Sequence, residues 1–244
     1  MRISTETNTK MRRPITAFAV YLLIVLLPGC GSDSPAGLDG LGDLPPSPGQ
    51  GSLAMKVVAR VEGLDTGADA YQTDFTVTVT DTLGAAVSGA RVTVGGAFGT
   101  VTLTEDEAEA GTYASTRTGY VLGSYTLDVR SGPDSLVGVT EVAPAVHAIT
   151  TPTPNSVVPA NTALNVQWKR PATADQCRLE TRDYDSDWIY GDPGTLWTPT
   201  IGNPPRADQR IRVTRRNVQV TTFGLPGSQL SVSIRKTVEP VVAE

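Results

Sequence analysis

Histidine and cysteine are almost missing from this chain. Its 244 residues include one histidine, His147, and two cysteines, Cys30 and Cys177. Mechanisms built on a pair of imidazoles or on a four-ligand His/Cys metal cage therefore lack their parts. Aromatic residues make up 6% and charged residues 18% of the sequence. The chain has no G-x-S-x-G elbow, H-E-x-x-H, paired C-x-x-C, P-loop or G-x-G-x-x-G fingerprint, which removes the common hydrolase, metalloprotease and nucleotide-binding signatures. No apolar run approaches the ~20 residues of a membrane-spanning helix. A hydrophobic share of 39% is still enough to bury one or two cores, and disorder throughout is excluded. The expectation is a protein that is not an enzyme and needs no cofactor.

The opening residues form an address. Arg2, Lys10, Arg12 and Arg13 precede an apolar run from Ile15 to Leu27 that Pro28 closes, which is the layout of a secretory leader. As a helix that run would rise only about 20 Å against a hydrocarbon layer of about 30 Å. Removal is expected rather than a permanent span. The residues Leu27-Pro28-Gly29-Cys30 resemble the lipobox of bacterial lipoproteins, with Leu27 and Gly29 at the matching positions and Pro28 departing from the usual residue. The resemblance implies cleavage before Cys30, lipid on its thiol and a membrane as partner through that anchor. Gly31 follows Cys30, so by that family's sorting rule the expected location is the cell envelope, with the outer membrane favoured. Residues 30–52, rich in Gly, Pro and Ser, read as the lipidated cysteine and a disordered tether.

Charge divides the remainder. Residues 51–143 carry 5 basic and 12 acidic groups, whereas 144–244 carry 11 basic and 9 acidic. Two domains are expected, 53–143 and 155–244, joined by a Pro-rich linker at 144–154 that holds His147. The fold class is all-β: two tandem immunoglobulin-like β-sandwich domains after a signal peptide and flexible tether.

In the first half, period-two alternation places strands at 56–62, 74–80, 90–94, 100–104, 112–116, 125–130 and 136–142. Phe75-Thr76-Val77-Thr78-Val79-Thr80 puts apolar residues on one face and threonines on the other. The stretches TVTVTDTLGAAVSGARVTV (76–94) and GTYASTRTGYVLGSYTLDV (111–129) resemble bacterial immunoglobulin-like domains of the invasin/intimin kind; a transthyretin-like or collagen-adhesin B-type module has similar patterning. The Glu105-Asp106-Glu107 cluster with Glu109 reads as a solvated turn.

In the second half the expected strands are 163–168, 177–183, 188–190, 196–201, 210–215, 218–223 and 230–238, with Trp168 and Cys177 pointing inward. NTALNVQWKRP, CRLETRD, RIRVTRRN and SVSIRKTVEP, in that order, resemble a fibronectin type III-like domain, although Gln209 stands where that family places a tyrosine.

Three features are candidates for ligand contact. Trp188, Tyr190 and Trp197 offer rings that stack on sugars. Arg206, Arg210, Arg212, Arg215 and Arg216, on a strand with Ile211 and Val213 inward, are expected to form a basic outer face that suits phosphate, an anionic glycan or the acidic half of another copy. Asp183, Asp185 and Asp187 open like an EF-hand loop, but Trp188 occupies the turn-glycine position and Gly194 that of the bidentate glutamate, so no metal is expected there. The resulting expectation is an envelope lipoprotein with a structural or adhesive role, recognising an envelope protein or a glycan and no nucleic acid. The alternative is a carbohydrate-binding accessory lipoprotein using Trp188, Tyr190, Trp197, Arg210 and Arg212.

Overall fold

The alternation Val57, Ala59, Val61 against Lys56, Val58, Arg60 forces β1 (Met55–Gly67) to bury one face, on which these three and Met55 are at most 2% exposed. The computed structural model describes residues 54–244. Leu27, Gly29, Cys30, the leader and the tether to residue 52 lie outside the described residues.

β2 (Ala70–Asp81) returns antiparallel to β1, and Phe75, Val77 and Val79 point inward as their spacing requires. β3 (Arg91–Gly96), β4 (Gly99–Glu105), β5 (Thr112–Thr118), β6 (Ser124–Ser131) and β7 (Asp134–Val142) complete seven strands, one for each expected. β1, β2 and β5 form one layer and β3, β6 and β7 the other, with β4 pairing into both. Phe75, Phe98 and Tyr125 meet between the layers with ring centroids 5.2–6.5 Å apart, a spacing at which tilted aromatic pairs attract. The chain is all-β and this half is an immunoglobulin-like sandwich.

The second half builds a three-stranded sheet from β8 (Ala148–Thr151), β10 (Asn165–Lys169) and β13 (Thr195–Trp197). Its partner layer contains β11 (Gln176–Glu180), β12 (Ile189–Tyr190), β14 (Arg206–Val220) and β15 (Gln229–Ala243), with the short β9 (Val157–Val158) on β15. Trp168, Cys177, Leu179, Ile211 and Val213 fill the space between.

Several boundaries differ from the sequence reading. The stretch 144–154 is not free of regular structure, because Ala148–Thr151 pairs with Gln167–Lys169 as β8. The expected break between 215 and 218 is absent and β14 is continuous, since Arg216 faces outward while the Asn217 side chain donates to the Val142 carbonyl at 2.9 Å. β13 ends at Trp197; Pro199, which lacks the N–H a ladder needs, precedes a 3-10 turn at Thr200–Gly202, where Ile201 is exposed.

One hairpin crosses the 144–154 division and contributes to the cores on both sides of it. The hairpin of β14 and β15 is long enough to serve both, and the first stretch of β15 pairs parallel with β1 from Val58↔Gln229 to Leu64↔Arg235. Leu230 and Val232 thereby join the first core, while Val238 and Val241 join the second. Side chains reinforce this seam: the Ser231 hydroxyl donates to the Ala59 carbonyl, the Val57 N–H donates to Ser228 Oγ, and Arg235 meets Glu62 at 2.6 Å. Gly224, at the hairpin turn with φ +81°, lets the chain pass over Met55, whose carbonyl a Cβ would approach to 2.9 Å. β15 covers what would be an open sheet edge on β1, and one sheet runs through both halves in the order β12-β11-β14-β15-β1-β2-β5-β4-β3-β6-β7.

Candidate functional site

Register across the long sheet decides which side chains share a surface. Gln176↔Arg216, Arg216↔Ser233 and Ser233↔Glu62 lie in one row, and Arg178↔Thr214, Thr214↔Arg235 and Arg235↔Leu64 in the next. Residues opposite one another on neighbouring strands point the same way. The outer face therefore collects Arg178 from β11, Arg212 and Arg216 from β14, Arg235 from β15 and Arg60 from β1. Tyr190 lies on the same face opposite Gln176 and is 85% exposed.

Trp188 also belongs to this face, but its ring is occupied. The Arg216 guanidinium lies 3.6 Å from the ring centroid and that of Arg178 5.4 Å, so indole and cations attract and hold one another. Gln176 Oε1 accepts from Arg216 Nε at 2.7 Å. Burial pushes the Arg216 guanidinium below its usual range, and the charges of Arg60 and Arg178 push it further the same way. Arg212 is lowered for the same reasons, burial first and then Arg210 and Arg235. Arg178 is paired with Glu180 at 3.0 Å and Asp185 at 3.3 Å. Among the described residues, Arg60, Arg210, Arg212 and Arg216 have no carboxylate within ion-pair distance.

The expected aromatic triad is not brought together. Tyr190 is on β12 of the long sheet with Trp188 just before that strand, whereas Trp197 is on β13 at the edge of the three-stranded sheet, 62% exposed. The five-arginine run also divides. Arg206 binds Asp183 at 2.8 Å and Asp208 at 2.9 Å. Arg215 takes the inward parity of Ile211 and Val213 and is fully buried, so it is no part of a basic outer face. That parity was present in the sequence and was the signal that could have found it.

Asp183 is spent on Arg206 and on Gln209, whose Nε2 donates to it at 3.2 Å, and Asp185 on Arg178. Among the described residues no group of three or more His, Cys, Asp or Glu side chains is placed to hold a metal. Gln209 is itself buried and accepts from the Arg182 N–H at 3.0 Å, fixing the start of β14. Glu105, from the acidic cluster, accepts from the Gly89 and Gly111 N–H groups at 2.8 and 2.9 Å; these bonds hold its carboxyl below the usual carboxylate range and make it a turn clamp.

Sequence reasoning missed a buried polar network. Asp192 has no exposed side-chain surface and accepts from Arg215 Nε at 2.6 Å, Trp168 Nε1 at 2.9 Å and the Ala174 N–H at 3.2 Å, with Arg170 Nε at 3.0 Å. Arg215 also donates to the Ala145 carbonyl at 2.7 Å and to that of Ala172. His147 is buried, with Nε2 donating to the Val213 carbonyl at 3.1 Å; burial and then the Arg215 charge push its pKa down to about 3. Tyr120 donates to the Pro144 carbonyl at 3.0 Å and the Ala143 N–H to the Gly123 carbonyl at 2.8 Å. The segment joining the halves is thus gripped from both sides. Cys177 is fully buried, which pushes its thiol up to about 11, and a thiol so protonated is a packing group.

No family model matches the chain and no curated protein matches it. Among solved structures it is similar to one titled as the structure of the Yersinia pseudotuberculosis adhesin InvE, at 18% identity and a TM-score of 0.24, covering 77% of this chain. The chain spans about 60% of the length of that adhesin chain. A likeness of that degree bears on neither ligand nor role.

Proposed function

We propose that this chain is a lipid-anchored envelope protein with a structural or adhesive role and no catalysis. In this reading residues 1–29 are a cleaved leader, Cys30 carries the lipid, residues 31–52 are the tether, and the outer membrane is the site of attachment. The folded region then acts as a stiff two-sandwich module that presents its outer faces to an envelope protein or a glycan. The second sandwich, three strands facing β12-β11-β14-β15, is read as fibronectin type III-like on its strand order.

The observation that carries this reading is the use made of the buried polar groups. His147, Asp192 and Arg215 are all committed to holding residues 143–147 against both sandwiches, and β15 pairs with β1. Such groups serve rigidity, which a spacer or adhesive module needs, rather than a cleft where a substrate is turned over.

The test is fractionation of cells expressing the chain or its Cys30→Ser variant, followed by protease treatment of intact cells and cross-linking of the native form. Membrane association that Cys30→Ser abolishes, together with cross-links to an envelope component, is the expected outcome. An unprocessed chain, or one that stays with the membrane after Cys30→Ser, contradicts the anchor. A native form without cross-links contradicts the adhesive role.

A further inference from the structure

We infer that the outer face spanning β11, β14, β15 and β1 is a binding surface for a linear acidic glycan, one carrying carboxylate or sulfate groups. The inference deepens the adhesive reading above by naming the ligand chemistry, and it rests on that reading.

The face is composite. Arg60 belongs to the first sandwich and Arg178, Arg212 and Arg216 to the second, and they share a surface only because β15 lies between β1 and β14. At a strand spacing of about 4.8 Å and a rise of about 3.3 Å per residue, the diagonal from Arg178 to Arg60 crosses three inter-strand gaps and runs four residues along the strands, about 20 Å in all. That suits successive acidic groups on an extended polymer better than one small anion.

Its cations are short of partners. Arg60, Arg212 and Arg216 have no carboxylate within ion-pair distance among the described residues, and the buried Nε atoms of Arg212 and Arg235 have no hydrogen-bond acceptor. The charges of Arg60 and Arg178 act on Arg216 in the unfavourable direction. Like charges held together without a counter-charge raise the energy of the free protein, and an anion that bridges them relieves it. The stacking on Trp188 fixes the Arg216 and Arg178 planes in advance, so less freedom is lost on binding.

The surroundings distinguish a glycan from other polyanions. Tyr190 stands open at the edge of the same face, and an exposed ring is a platform for a sugar. Thr76 and Thr78, both exposed, continue the face with hydroxyls on β2, opposite Arg60 and Val58 of β1. Glu62 and Glu180 lie among the arginines; they accept from sugar hydroxyls but repel the dense, even charge of a nucleic acid duplex, one per about 1.7 Å.

The experiment uses the full chain in detergent, with polygalacturonate and heparin as acidic probes and dextran and duplex DNA as comparisons, read by Trp fluorescence and by retention on the immobilised polymer. Saturable, salt-sensitive binding of an acidic glycan is expected, weakened about tenfold or more by Arg60→Gln with Arg216→Gln and by Tyr190→Ala. Arg91→Gln with Arg130→Gln, on a different sheet face, should leave it unchanged. Arg60→Gln alone, at an exposed position, gives the same direction if the double variant fails to fold. No binding, or equal loss in the Arg91/Arg130 control, overturns the inference. Duplex DNA bound as tightly overturns it in favour of unspecific charge, and self-association lost on Arg216→Gln overturns it in favour of a second copy. If acidic glycans are ignored while the native chain still cross-links in cells, this inference fails and the adhesive reading stands.

Discussion

Arg215 Nε lies 2.6 Å from Asp192 Oδ2, and neither side chain has any surface exposed to solvent. Two unit charges are costly to bury, and their mutual attraction offsets that cost only because the other two Arg215 nitrogens and the other Asp192 oxygen also have partners. Trp168, Ala174, Ala145 and Ala172 supply those partners. The pair therefore orients the joining segment and the Trp168 ring more than it adds stability.

Removing one partner leaves the other charge buried. Asp192→Asn, which leaves Arg215 without a carboxylate, should destabilise the chain by about 3–5 kcal/mol, and Arg215→Met by less, since Asp192 keeps Arg170 Nε at 3.0 Å. Arg215→Met with Asp192→Asn should lose less than the two single changes summed, because the second change removes the orphaned charge. Urea unfolding of the three variants reads both values, and strict additivity would mean that the two residues do not act as a unit.

His147 makes stability depend on pH in a definite direction. With a folded pKa of about 3 against an ordinary value of 6.5, the folded chain keeps the ring neutral while the unfolded chain protonates it anywhere between. Its contribution is intact above about pH 6.5 and is lost as the pH falls toward 3, by about 1.4 kcal/mol per unit. His147→Gln retains a donor for the Val213 carbonyl and cannot titrate. The fall in stability between pH 6 and 4 should be shallower in His147→Gln than in the parent, and equal slopes in urea midpoints would rule out this burial effect.

Gly63 is required by its neighbour. A Cβ there would lie 2.3 Å from Cδ2 of Tyr120, whose ring passes over β1 and whose hydroxyl holds the Pro144 carbonyl. Gly63→Ala should cost about 1–3 kcal/mol from overpacking. In a Tyr120→Ala background the same change should cost less, which thermal unfolding of the two pairs would measure.

The seven strands of the first sandwich were legible because each alternates over one buried face; Phe75, Val77 and Val79 are an example. Trp168 and Cys177 were legible for the same reason. What was not legible is pairing over long separation. Nothing in Val58–Leu64 announces Gln229–Arg235, some 171 residues away, because a parallel partner needs only an apolar inward row, which many segments provide. β8 was hidden by the prolines around it. The inward place of Arg215 follows from its parity with Ile211 and Val213, a signal that five arginines in one run mask. Trp188, Tyr190 and Trp197 are near one another in sequence, yet Trp197 belongs to the opposite sheet from Tyr190.

The central claim is that β15 makes one mechanical unit of two sandwiches. All three tryptophans, Trp168, Trp188 and Trp197, lie in the second half, so their fluorescence reports on that half alone. Val79→Ala removes about two methyl-sized groups from the first core, about 1.6 kcal/mol, and touches none of them. In urea, the expected result is one transition in which far-UV circular dichroism and Trp fluorescence share a midpoint and both move down together in Val79→Ala. A Trp midpoint unchanged by the substitution, with a separate earlier transition in circular dichroism, would contradict it.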